Sequence, residues 1–442
     1  MLWPVRRLLA LLVFLLAAAA SRAQSIVSLT WDPMAIRSDR VADVSLAVET
    51  TGAVGGVRID LPDNGSISLT SAGANAWRAT VPASRVLFGY ASDDVNHNFA
   101  GFVRLLSSGG QQIASYNAFV NVLDGNVPPV SVVNRATDVR QTPRIVNIHL
   151  PGSTYTVDLR TVAQRFYTMF GDDFDFLQFA FTLPVYPQNR YHFGVRNDVQ
   201  GIGLSIRNDA PFYGSAGRLK GITVYPIDFF FDLGEKAFSH ELGHQWIQFT
   251  QHPLLQPGIP HWPISTMATG VMGYSLPGGV GGDFNWSIEP VSSTTAITRS
   301  AEALNEFADF DLYLMGLISA AEVAPGLVLQ QSPCPGCTVS VSPITVNDII
   351  NRHGPRVPDP STSQKSFRIA TIVISRHRVL NDEEMALYEF MAQRGEARQP
   401  MSYTSGFSRG TTKPFYVATR GLATVDFRLS ITAPSRRRSV RR

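Results

Sequence analysis

The chain changes its pattern at Asn126-Val127-Pro128-Pro129, and that change constrains the fold more than any other stretch. Two consecutive prolines remove two backbone donors and favour extended backbone, so neither a helix nor a central strand runs through them. Upstream, Ile26–Thr30, Ala42–Val48, Gly56–Leu61 and Ala76–Val81 alternate apolar with polar residues at the period of a half-buried strand. Turn sequences such as Asp63-Asn64-Gly65 separate them, and no helical period intervenes. Several short strands over about a hundred residues predict an Ig-like β-sandwich. Downstream the pattern is mixed. Arg144–Leu150, Phe176–Leu183 and Ile222–Tyr225 read as strands, Thr156–Phe170 as an amphipathic helix, and together they predict an α+β domain. A length of 442 residues also fits more than one domain.

The two ends stand apart from these domains. Arg6 and Arg7 precede an apolar run from Leu8 to Ala20, and Ser21-Arg22-Ala23 supplies the small residues of a cleavage site. Residues 1–23 are therefore expected to be a signal peptide, with the mature protein secreted or periplasmic. No later stretch is long and apolar enough to predict a transmembrane segment. Removing the leader takes away three arginines and no acid, which lowers the formal net charge from +3 to zero. Five arginines crowd the last seven positions, so residues 433–442 are read as a basic, flexible tail on a mildly acidic body. Nucleic acid is not an expected partner, because that requires a basic face on a folded domain. The only cysteines form Cys334-Pro335-Gly336-Cys337, which in an exported chain reads as a small structural disulfide rather than a redox centre.

Chemistry concentrates in His240-Glu241-Leu242-Gly243-His244. Asp232 and Glu235 form a D-x-x-E capping box, and Pro253 forbids continuation, so the expected helix runs from about residue 232 to just before 253. Imidazoles at i and i+4 then share one face, close enough to bind one tetrahedral ion at about 2.0–2.1 Å. Glu241 lies about 100° further around the axis, where it accepts a proton from a water on the metal instead of ligating it. Gly243 costs roughly 1 kcal/mol of helix propensity, which a close approach at a site would explain.

Two histidines leave the coordination sphere open. Ile247 and Thr250 stand where the pattern H-E-x-x-H-x-x-G-x-x-H has its glycine and third histidine, but Gly258-Ile259-Pro260-His261 supplies a displaced G-x-x-H, followed by Gly270-Val271-Met272-Gly273-Tyr274. This arrangement resembles the metzincin clan of zincin metallopeptidases. The resemblance implies Zn2+ held by His240, His244 and His261, a methionine turn at Met272, and Tyr274 at or near the metal to steady the oxyanion. It also implies that Asp311, in Phe307–Gly316, braces the methionine turn. Asn305-Glu306-Phe307-Ala308-Asp309 is similar instead to a gluzincin segment, with Glu306 as third ligand, and Asp311 is a more distant alternative.

The expected organisation is a signal peptide (1–23), a β-sandwich accessory domain (24–130), a zinc metallopeptidase domain (131–432) and the tail. The expected function is an exported endopeptidase acting on proteins or peptides, with Glu241 as general base and Tyr274 assisting. The rival expectation is a surface-binding or adhesion protein with a structural or inactive zinc site.

Overall fold

The structure is a computed structural model that describes residues 24–39, 42–91, 95–152, 157–182, 190–225, 236–277, 281–405 and 408–429. The leader, the basic tail and the Asp232/Glu235 capping pair lie outside the described residues. Strand exceeds helix, 37% against 19%, and is distributed over several sheets. No helix among the described residues is long and apolar enough to cross a membrane. The chain divides into two compact units, one of Met1–Val127 with Thr404–Ser408 and one of Pro128–Tyr403 with Arg409–Arg442.

In the first unit, antiparallel pairing runs from Ser25–Asp32 through Val44–Thr51, Ala76–Val81, Ser66–Gly73 and Gly56–Asp60 to Val95–Leu106, which pairs in turn with Gln112–Leu123. Ser66–Gly73 joins the two layers. Its first half pairs with Gly56–Asp60 and its second half with Ala76–Val81. The alternation seen in sequence is the alternation of burial. Val44, Leu46 and Val48 point inward and meet Val57, Ile59, Val103 and Val120 in one apolar cluster.

The second unit is built on a mixed sheet in the order Tyr191–Gly194, Gly221–Tyr225, Phe176–Phe181, Ser366–Ser375, Ile145–His149, Val139–Gln141, Val133–Ala136. Its four central strands are parallel, and Tyr191–Gly194 runs antiparallel at one edge. Central strands covered on both faces are buried along their length, as Phe176–Phe181 is at every position. Their polar residues are paired: Gln178 donates to the Thr371 hydroxyl at 3.1 Å, and Asn147 donates to the Val373 carbonyl at 2.9 Å. The helix Leu159–Met169 starts at Asp158, whose carboxylate accepts from the Arg160 amide, and buries Val162, Ala163 and Phe166. Asp382–Gly395 starts at Asn381, which exchanges hydrogen bonds of 2.8 Å with Glu384. A separate antiparallel sheet combines Trp286–Pro290, Thr295–Ser300, Thr338–Ile344 and Gly326–Leu329. Cys334 and Cys337 are joined by a disulfide in its last hairpin, and the Thr298 hydroxyl donates to the Cys334 carbonyl.

Candidate metal centre

The motif helix ends earlier than its sequence predicts. It spans Lys236–Gly243, so His240 lies within it while His244 is the first residue past its end. Tight turns continue the winding, with His244 N–H donating to the Glu241 carbonyl and Ile247 N–H to the Gly243 carbonyl. The winding stops at Gln248, which takes a positive φ of 63°. Its buried side chain donates to the Leu255 carbonyl and accepts from the Thr250 hydroxyl, so the chain turns away five residues before Pro253. These tertiary partners end the helix before proline can.

Of the three candidates for a third ligand, the structure brings His261 to the other two. His240, His244 and His261, each half-buried, form a group whose ligand atoms all lie within 4.8 Å of one another. Their ring centroids make a nearly equilateral triangle of 4.9, 4.9 and 5.0 Å. His261 reaches this position through a tight turn. Its amide donates to the Gly258 carbonyl, and a Cβ on Gly258 would sit 2.0 Å from the Pro263 nitrogen, so only glycine fits there.

Hydrogen bonds outside the triangle orient the rings. His240 Nδ1 lies 3.0 Å from the Val271 carbonyl, an acceptor that places the proton on Nδ1 and leaves the Nε2 lone pair facing inward. His261 Nδ1 meets the Ser275 hydroxyl at 2.6 Å, and the two Nε2 atoms face each other at 3.0 Å. A tetrahedral ion at 2.0–2.1 Å from each donor sets neighbouring donors about 3.3 Å apart, close to that separation. Burial first, then the charges of the neighbouring imidazoles, hold His244 well below the usual imidazole range, so it is unprotonated as a ligand must be. The donor set therefore fits a metal ion of the borderline class that imidazole suits.

Gly243 meets side chains. A Cβ there would stand 2.7 Å from Met272 Sδ and 3.0 Å from the Phe307 ring. Met272 is buried directly against Gly243, the last residue of the helix that carries His240, with His244 just past its end. Its neighbour Val271 receives His240 at its carbonyl and donates its own amide to the Glu306 carbonyl. The other residues proposed from sequence have different places. The Glu306 carboxylate is half-exposed and pairs with Arg420 at 3.0 Å, away from the histidines. Asp311 is fully buried, accepting from the Trp262 indole at 2.7 Å and from the Ala308 amide at 2.9 Å, and burial pushes its pKa up to about 7. Through Trp262, whose backbone bonds to Gly273 and Ser275, it is tied to the loop that follows Met272. Tyr274 packs its ring edge-on against Phe284 at 6.0 Å and is not part of the cleft lining described next.

The histidines and Glu241 open into a cleft of about 610 Å³ whose other wall is the edge strand Tyr191–Gly194. Glu241 is 4% exposed, and burial raises its pKa to about 7 against the opposing pull of Arg190. The Arg190 Nε donates to Glu241 Oε1 at 3.0 Å. Behind this pair, His192 bridges the Thr223 hydroxyl and the Gln245 side chain, and Gln245 donates onward to the Arg196 carbonyl. Arg190, His192 and Gln245 carry no motif, and sequence reading missed them. The one available signal was that Arg190 and His192 sit on a strand-like segment of a chain rich in arginine, which is too common to single out. In comparison with known proteins, no family model matches the sequence and no curated protein matches it.

Proposed function

We propose that this protein is a zinc-dependent peptide hydrolase of the zincin type, with His240, His244 and His261 as metal ligands and Glu241 as general base. The observation that carries the reading is the convergence of three imidazole nitrogens beside a buried carboxylate, at the wall of a cleft bordered by an open sheet edge. Bound zinc would supply a Lewis acid that polarises the scissile carbonyl and acidifies water. Arg190 fixes Glu241 through Oε1, which leaves Oε2 to take a proton from the attacking water. As the water oxygen bonds to the carbonyl carbon, that proton passes to Glu241, and Glu241 returns it to the nitrogen when the C–N bond breaks. Among the described residues Tyr191–Gly194 pairs on one side only, so an extended peptide can add to its other edge and lie along the cleft. The leader sequence and the disulfide both support an exported protein.

The test is metal analysis with a casein or gelatin digestion assay. We expect about one zinc per chain, loss of digestion on chelation and recovery on adding zinc. Glu241→Gln should keep the metal and lose about 10²–10⁴-fold in kcat/KM. Full activity in that variant would sink the mechanism, and bound zinc without turnover on any substrate would favour an adhesion protein with a structural metal.

A further inference from the structure

Three arginines, Arg190, Arg196 and Arg207, line the cleft, and among the described residues Glu241 is its only carboxylate. Two of the three are neutralised where they stand. Arg190 pairs with Glu241 at 3.0 Å and Arg196 with Asp198 at 2.8 Å. Arg207 is different. Its guanidinium donates to the Gly194 carbonyl at 2.5 Å and pairs with no carboxylate among the described residues, and the residue is exposed.

The position of that carbonyl gives the charge its meaning. Gly194 is the last residue of the edge strand Tyr191–Gly194, so an uncompensated cation is anchored at the end of the strand along which a peptide would lie. One guanidinium nitrogen is occupied by the Gly194 carbonyl, and the remaining donors form a planar fork suited to a carboxylate. A bound dication would add to the positive field of the cleft, and like charges on a substrate would be rejected.

Resting on the peptide-hydrolase reading above, we infer that the cleft selects peptides bearing a carboxylate near the scissile bond, and that Arg207 is the residue that reads it. The carboxylate is supplied either by an aspartate or glutamate side chain or by the free C-terminus of the peptide.

The experiment uses the full-length, zinc-loaded protein and matched fluorogenic peptides. Glutamate or glutamine is walked through the positions on both sides of the scissile bond, each peptide having a free or an amidated C-terminus. Glutamate at one position should raise kcat/KM about tenfold over glutamine. The preference should shrink as salt is raised from about 0.05 to 0.5 M in the wild-type protein, because the pair is solvent-accessible. It should vanish in Arg207→Gln, persist in part in Arg207→Lys and turn toward lysine in Arg207→Glu. A loss on amidation that outweighs the glutamate effect assigns the recognised group to the C-terminus. Binding of the same peptides to the metal-free full chain, followed by fluorescence anisotropy, reads selection without turnover. Equal turnover and equal binding for every glutamate, glutamine and amidated peptide would overturn the inference. Selective binding with no cleavage would instead overturn the hydrolase reading and leave the carboxylate site standing.

Discussion

Along Val44–Thr51 in the first unit, every second residue is buried and the intervening ones face outward. Along Phe176–Phe181 in the second, all six are buried, Gln178 among them. A sheet with one wet face can send its polar residues to water. A sheet covered on both faces must pair them internally, at a cost of several kcal/mol for any charge left alone. The second unit accordingly buries Glu241, Asp311, Glu384 and Glu389, each beside a named donor: Arg190, Trp262, Arg378 and Arg144. The first unit's buried Arg37 donates to the Val127 and Gly125 carbonyls. Both units pair the charge they bury, and the difference teaches that the unit whose sheet is covered on both faces buries more of it.

Substitutions can break this contrast or refine it. The largest stability change is expected from Ile59→Ala, which empties a fully buried position of the first unit and should cost about 2–5 kcal/mol. Metal content under native conditions should stay the same, and a parallel fall measured by metal analysis would show that the contrast is false. His261→Ala removes one corner of the triangle. Its metal affinity, measured by competition with a chelator, should drop more than about 100-fold, since outer-shell changes alone cost about 10–100-fold. Gly243→Ala forces a methyl against Met272 and should destabilise the fold by about 1–3 kcal/mol while loosening the metal. Undiminished thermal stability in that variant would contradict the packing described here.

The last test concerns pH. Asp311 has its pKa raised to about 7 from an ordinary 3.8 by burial, so the folded state holds a proton that the unfolded chain has already released. Its contribution is present below about pH 4 and is lost as pH rises toward 7. Asp311→Asn cannot lose that proton. The difference in Tm between wild type and variant should therefore move in the variant's favour from pH 4 to pH 7, and a constant difference would refute the assignment.

Sequence showed most clearly what local periodicity or a covalent constraint decides. The alternating strands of the first unit and the helix capped by Asn381 are visible in the order of residues. The buried strand Phe176–Phe181 was marked by its run of large apolar residues. The length of the motif helix was not legible, because Gln248 ends it through contacts with Leu255 and Thr250 that only folding creates. The metzincin resemblance, not any periodicity, put Tyr274 at or near the metal; its ring packs edge-on against Phe284 at 6.0 Å. His261 was separable from Glu306 only in space, where Arg420 draws the glutamate away. Arg190 reaches Glu241 across 51 positions, a pairing for which no spacing rule exists.

The strand Ser366–Ser375 lies between Ile145–His149 and Phe176–Phe181 and bonds to both. Gln178 and its partner Thr371 are 193 positions apart, so at about 5–20 residues per second a ribosome delivers the second roughly 10–40 s after the first. Through that interval the strand that bonds to both Ile145–His149 and Phe176–Phe181 has not yet been made. The wall of the cleft hangs on the same sheet, by way of Gly221–Tyr225 and Phe176–Phe181. On the proposed hydrolase reading, a centre assembled in this order would stay inert until Ser366–Ser375 is made, and a message that stops before codon 366 would yield a fragment lacking the strand that joins the two halves of its sheet.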